Sequence, residues 1–174
     1  KVTLPPNPFL QSTAAGEAAL QTRVIETIGK AKTVADLFAG VGTFALPLAR
    51  RTKVHAVEQD QPALAALALA SKASGLKPVT TEVRDLFKLP LTPMELNGYD
   101  AVVLDPPRAG AEAQAKALAR SKVPAIAYVS CDAASFARDA VLLVQGGYRP
   151  GPVTPIDQFL WSSHIELVAG FTRV

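Results

Sequence analysis

Cys131 is the one cysteine of the chain. It stands in Tyr128-Val129-Ser130-Cys131-Asp132, where an apolar run ends and a helix is expected to begin. A thiol at the carboxyl edge of a sheet, beside a helix N-terminus, is expected to be favoured as the nucleophilic thiolate. Four other strand-like runs lead into a carboxylate at or just past their ends: Asp36, Glu58, Asp85 and Asp105. A lone cysteine is ordinarily a small core hydrophobe. Four carboxylates along the same sheet edge change that expectation, because together with a thiol they form a cleft equipped for covalent and acid–base chemistry.

Positioning these groups requires strands that alternate with helices, and the chain supplies them. The Pro-rich residues 1–12 are irregular. An amphipathic helix follows over 14–28, with Ala18, Val24, Ile25 and Ile28 as buried positions. Strands are expected at 33–37, 53–57, 78–83, 99–104 and 125–129, and the segment 86–97 reads as loop around Pro90 and Pro93. Helices are expected at 44–49, capped by Thr43, at 62–74 with Pro62 early in it, at 111–120 and at 135–143. Gly146-Gly147 stops the last of these. Two further strands, 148–157 and 163–169, make an antiparallel pair, with Trp161-Ser162 in the hairpin between them. The result is a mainly parallel, helix-covered sheet whose strand order periodicity does not reveal. Trp161 is expected in the core, with an aromatic stacking surface near the cleft as the alternative, His164 as either a packed or a catalytic histidine, and Arg138 with Asp139 as a structural ion pair.

Composition narrows the function. The 174 residues suit one domain, and 49% hydrophobic against 19% charged residues describes a packed globule. The net charge of +3 permits an RNA or DNA partner without demanding one. One cysteine excludes an intrachain disulfide, and with only His55 and His164 beside it no structural zinc site is expected. The apolar runs fall short of a membrane span and no signal peptide is seen, so a cytoplasmic location is expected. A chain beginning with Lys1 instead of methionine is expected to be a fragment.

Asp36-Leu37-Phe38-Ala39-Gly40-Val41-Gly42 follows the first strand. Gly40 and Gly42 let that loop pass close to a bound cofactor. Glu58 is placed to accept from ribose hydroxyls, and Asp85 to meet an adenine amine. The longer Gly-x-Gly-x-x-Gly pattern fails, since residue 45 is alanine and Pro47 interrupts the next helix. A nucleoside-bearing cofactor smaller than NAD is expected. Asp105-Pro106-Pro107-Arg108 makes a second stiff loop, in which Asp105 can accept from a planar base while Arg108 orders the site or meets phosphate.

In combination these residues resemble the RNA uracil-5-methyltransferases, which form 5-methyluridine in transfer and ribosomal RNA. The resemblance spans nearly the whole chain. It runs through Phe9-Leu10-Gln11, the Asp36 to Phe44 stretch, and Asp105-Pro106-Pro107-Arg108-Ala109-Gly110. It continues in Ser130-Cys131-Asp132, Phe136-Ala137-Arg138-Asp139, Asp157-Gln158-Phe159 and His164-Ile165-Glu166. It implies an α/β, Rossmann-like sheet of the S-adenosylmethionine-dependent methyltransferases, with residues 1–174 as one catalytic domain. Asp36, Gly40, Gly42, Glu58 and Asp85 would surround S-adenosyl-L-methionine. Gln11, Asp105 and Arg108 would bind the substrate, Cys131 would be the nucleophile and Glu166 the base. The implied partner is tRNA or rRNA, and no oligomeric state is implied.

The chain departs from the family pattern at three places: Thr13 replaces an asparagine, Asp132-Ala133 an Asn-Pro, and Leu160 a proline. Relatives commonly carry an N-terminal RNA-binding region and often a cysteine-bound iron–sulfur cluster, neither of which is in this sequence. Other readings are methylation of cytosine C5 or of an exocyclic amine, and a non-catalytic cofactor- and RNA-binding module. Amine methylation needs no Cys131, so a covalent complex with 5-fluorouridine RNA separates it from the leading reading.

Overall fold

Side chains alternate across each central strand, and that alternation builds the molecule. In a computed structural model, residues 2–6, 10–73, 75–159, 161–162 and 164–174 are described. The elements in chain order are α1 (Ala14–Ile28), β1 (Thr33–Leu37), α2 (Ala45–Leu48), β2 (Lys53–Glu58), α3 (Gln61–Ala73), β3 (Val79–Val83) and α4 (Pro93–Leu96). Then come β4 (Ala101–Leu104), α5 (Glu112–Ala119), β5 (Ala125–Ser130), α6 (Ala133–Gln145), β6 (Tyr148–Ile156) and β7 (Glu166–Arg173). Ala35, Leu37, Val102, Leu104, Ile126 and Tyr128 face one way and pack with residues of α4, α5 and α6. Their neighbours Val34, Ala101, Val103, Ala127 and Val129 face the other way, onto α1, α2 and α3.

The seven strands run in the order β3-β2-β1-β4-β5-β7-β6. The first five are mutually parallel, and β7 is antiparallel to both β5 and β6. Chain order reverses between β1 and β4, the crevice where sheets of this kind bind ligands. The expected class therefore holds: a mainly parallel sheet closed by an antiparallel pair.

Several local expectations need correction. Ala18 is exposed, because Leu20, Val24 and Ile28, four residues apart, form the buried stripe of α1. Thr43 caps nothing. The helix starts after Phe44, and the Thr43 carbonyl instead accepts from Gln21 Nε2 at 2.9 Å. The presumed loop over 86–97 contains α4, begun by a capping box. Thr92 Oγ1 accepts from the Glu95 amide and the Glu95 carboxylate accepts from the Thr92 amide. β4 starts at Ala101, after Asp100 has turned its carboxylate to the Lys32 and Thr33 amides. Gly146 caps α6, and Gly147, at φ +90°, makes the left-handed turn into β6. β7 runs to Arg173 and begins at Glu166. Phe9, Ser74, Leu160 and Ser163, named in the sequence reading, lie outside the described residues. Among the described residues no helix is long and apolar enough to cross a membrane.

Candidate active site

The parallel strands deliver their carboxyl ends to one edge of the sheet. Asp36 lies in β1, Glu58 ends β2, Asp105 follows β4 and Cys131 follows β5. An antiparallel strand reaches that edge with its other end. Ser130 pairs with Leu167, so Glu166 at the start of β7 comes to lie across from the Cys131 position. Asp36 and Glu166 also point to the face covered by α1, and continuing the alternation of β4 and β5 gives Asp105 and Cys131 the same direction. The outcome is a cleft of about 550 Å³ lined by Gln11, Phe38 to Val41, Glu58, Asp105 to Arg108, Cys131, Phe159, His164 and Glu166, among others. That volume suits a cofactor and a base together.

One wall is the loop after β1. Phe38 holds φ +64°, and Gly40 and Gly42 hold +51° and +96°. A Cβ at Gly42 would stand 2.4 Å from Leu67 Cδ1, so close packing on α3 demands glycine there. A Cβ at Gly40 would meet nothing within 4 Å, since that position looks into open space. The loop is held by Glu58, whose Oε2 accepts from the Gly40 amide at 3.0 Å while Oε1 accepts from Gln59 and Asp60. A concave backbone beside a half-buried carboxylate and the Phe38 ring fits a nucleoside-bearing ligand.

Asp36 lies beneath this wall, fully buried, and among the described residues neither carboxyl oxygen has a hydrogen-bond partner. Its pKa is pushed up to about 7, by burial first, against the nearby Ala45 amide and with the Glu58 charge adding to the rise. Asp85 is placed differently from the other acids. It is absent from the cleft lining, and its Oδ1 accepts from the Phe87 and Lys88 amides while Oδ2 pairs with Lys88 Nζ at 3.0 Å. It closes a turn whose Phe87 ring sits 5.4 Å from Phe38.

The other wall carries Asp105, Cys131 and Glu166. Burial raises the Asp105 carboxyl well above the usual range, and Glu166 and Asp36 raise it further. Glu166 is only 3% exposed, so it is not a solvated carboxylate on an outer strand face. Burial raises its pKa and the Gln158 amide partly offsets that. The expectation of a favoured Cys131 thiolate is overturned. Desolvation and the Glu166 charge raise the thiol's pKa, and the first turn of α6 is already capped by Asp132, whose carboxylate accepts from the Ser135 amide at 2.8 Å. Changing Glu166→Gln removes that repulsion, so the pH profile of Cys131 alkylation by iodoacetamide should move to lower pH. An unchanged or higher midpoint, read from the mass of the Cys131 peptide, would show that Glu166 does not act on the thiol.

The two base-side loops are tied together. Arg138 and Asp139 on α6 form the expected ion pair at 2.8 Å. Arg138 Nη2 donates to the Ala109 carbonyl at 2.9 Å, and the buried Asp139 accepts from the Ala111 amide and the Tyr128 hydroxyl, each at 2.6 Å. A Cβ at Gly110 would strike Arg138, Asp139 and Ser135, all within 3 Å. The Asp105–Arg108 loop is thus clamped onto the helix that follows Cys131. Arg108 Nη2 lies 2.9 and 2.8 Å from the two ring nitrogens of exposed His164, which stands edge-on to Phe159. Trp161, expected in the core, is fully exposed at φ +64°. Sequence reading also left Gln158 unassigned. It is 4% exposed, and its Nε2 donates to Gln11 Oε1 at 2.6 Å.

The sheet order, the acids at the strand ends and the thiol can be set beside known proteins. Residues 3–173 match the model of the tRNA (uracil-5-)-methyltransferase family. The chain belongs to that family. A Brucella suis protein named as an uncharacterized RNA methyltransferase is 56% identical over 173 residues, covering 99% of this chain and 42% of its own length. The 23S rRNA (uracil(1939)-C(5))-methyltransferase RlmD of Chromohalobacter salexigens is 40% identical over 172 residues, covering 97% and 35%. Among solved structures, the Pyrococcus abyssi tRNA (uracil-54, C5)-methyltransferase in complex with S-adenosyl-L-homocysteine superposes with a TM-score of 0.84 at 31% identity. That match covers 96% of this family member and 41% of the archaeal chain. The chain therefore spans roughly two fifths of the length of these relatives.

Proposed function

We propose that the chain is the catalytic part of an S-adenosyl-L-methionine-dependent enzyme that methylates C5 of uridine in tRNA or rRNA. The observation that carries this reading is the meeting of Cys131, Glu166 and Asp105 on one wall of a cleft whose other wall is the glycine loop held by Glu58. Gly40, Gly42 and Glu58 bind the cofactor, Asp36 supports the loop from below, and Asp85 acts through the turn that carries Phe87. When bound, S-adenosyl-L-methionine supplies an electrophilic methyl group.

Uracil C5 is a weak nucleophile, and the protein's task is to strengthen it. Gln11 and Asp105 hold the edge of a base unstacked into the cleft, with Arg108 at its mouth. Cys131, partly exposed, gives its proton to solvent and adds through sulfur to C6, and the electron pair displaced from the C5–C6 bond makes C5 nucleophilic. After methyl transfer Glu166 takes the C5 proton, and the returning electron pair expels the Cys131 sulfur. The raised pKa of Glu166 makes it a stronger base than an ordinary carboxylate, as a group that takes a carbon-bound proton must be. Glu166, almost wholly withdrawn from solvent, meets the base on the dry side of the cleft.

The experiment is methylation of total RNA by the natural protein with labelled cofactor, followed by digestion to nucleosides. Label in 5-methyluridine is the expected result. Label in 5-methylcytidine or in an N-methylated base would overturn the uridine assignment, and no label in any nucleoside would leave only the binding module.

A further inference from the structure

We propose that Gln158 sets which base the cleft accepts, by fixing the side-chain amide of Gln11 so that its NH2 group is presented to the base. The inference rests on Gln11 as a base contact. A primary amide offers a donor at one end and an acceptor at the other, so a free glutamine reads both uracil and cytosine. Here the ambiguity is removed. Gln158 Nε2 donates to Gln11 Oε1 at 2.6 Å, which uses the acceptor end of Gln11. Among the described residues none accepts from Gln11 Nε2, and Gln11 lines the cleft.

The orientation of Gln158 is itself determined. Gln158 holds the Glu166 carboxyl pKa down against the larger effect of burial, as a donor beside a carboxylate does, so the NH2 end of Gln158 faces Glu166 and Gln11 while its buried Oε1 has no hydrogen-bond partner among the described residues. The side chain is also confined. It is 4% exposed, and a Cβ at Gly16 would lie 2.4 Å from its Oε1, so α1 closes over it only because residue 16 is glycine. Acid, amide, amide and base then form one directional chain: Glu166 accepts, Gln158 donates, Gln11 accepts and donates onward. A donor in that place suits the ring carbonyls of uracil. At position 4 of cytosine it meets an amine, another donor, and that buried clash is the source of discrimination.

Gln158 is on this argument a positioning residue. Gln158→Met keeps the length of the side chain and removes both donors, freeing Gln11 to turn. In the full-length protein, the ratio of kcat/KM for a uridine RNA to that for its cytidine counterpart should fall by about tenfold to a hundredfold. A merely structural role would lower both rates together and leave the ratio alone. Gln158→Glu provides a second variant, since an acceptor at this position turns the Gln11 Oε1 toward the base and should lower the ratio further still. Calorimetry with S-adenosyl-L-homocysteine confirms that each variant is folded. A wild-type protein that does not methylate uridine overturns the parent reading. Wild-type methylation of uridine with an unchanged ratio in both variants overturns the role of Gln158 alone.

Discussion

Cys131→Ala should abolish methylation by the full-length protein, by at least about a thousandfold, while cofactor binding stays within about twofold. The asymmetry follows from the two walls of the cleft. The thiol stands with Asp105 and Glu166, and the Gly40 loop with Glu58 is built from other strands. Glu166→Gln should behave differently. Sulfur addition and methyl transfer need no base at C5, so a protein–RNA adduct should accumulate when the C5 proton cannot leave. Denaturing electrophoresis reads the adduct as a slower band. Turnover by Cys131→Ala would end covalent catalysis as an explanation. Normal turnover by Glu166→Gln without an adduct would assign proton removal to another side chain.

Asp36→Asn should make the dependence of stability on pH much shallower. The folded pKa of about 7 lies above the ordinary value of 3.8, so between these pH values the native state holds a proton that the unfolded chain has released. Stability then falls as pH rises through this window, by about 4 kcal/mol in all for a shift of this size. The fall is complete above the folded pKa and absent below pH 3.8. Asparagine keeps the shape and carries no charge. Urea titrations should therefore show the gap between variant and wild type moving in the variant's favour, by several kcal/mol, from pH 4 to pH 8. A gap that does not change with pH would mean that the carboxyl is ionised in the native state.

What the sequence made legible was whatever repeats or terminates. Strands β1, β2 and β5 were placed within a residue, since their apolar runs stop at a carboxylate or at Cys131. The common sheet edge of Asp36, Glu58, Asp105 and Cys131 followed from the same stops. The capping box at Thr92 is present in the sequence, but the prolines on either side, Pro90 and Pro93, give the segment the look of a loop. The acidity of Cys131 was not legible at all. It is set first by desolvation in the folded cleft and then by the charge of Glu166, which only strand pairing brings near. Gln158 sits in an irregular stretch with no period to mark it, and its value lies in the two groups that its NH2 end faces, Gln11 and Glu166. Trp161 misled through its type: a large aromatic is usually covered, and this one is held outside on a left-handed turn.

The placing of β7 between β5 and β6 has a consequence for the newly made chain. During synthesis Cys131 joins the chain before Glu166, and until β7 is made β5 has one neighbour in the sheet, β4. Its other edge, from Ile126 to Val129, is an apolar strand with open amides, the kind of template that captures foreign strands. β6 can pair with nothing in the sheet except β7. Docking of β7 on β5 therefore both seals the sticky edge and brings the carboxylate to the thiol, and it gives β6 the only neighbour it has in the sheet. A nascent chain halted before that event carries a cysteine without its partner, and a chaperone that shields the β5 edge would be guarding the future active site as well.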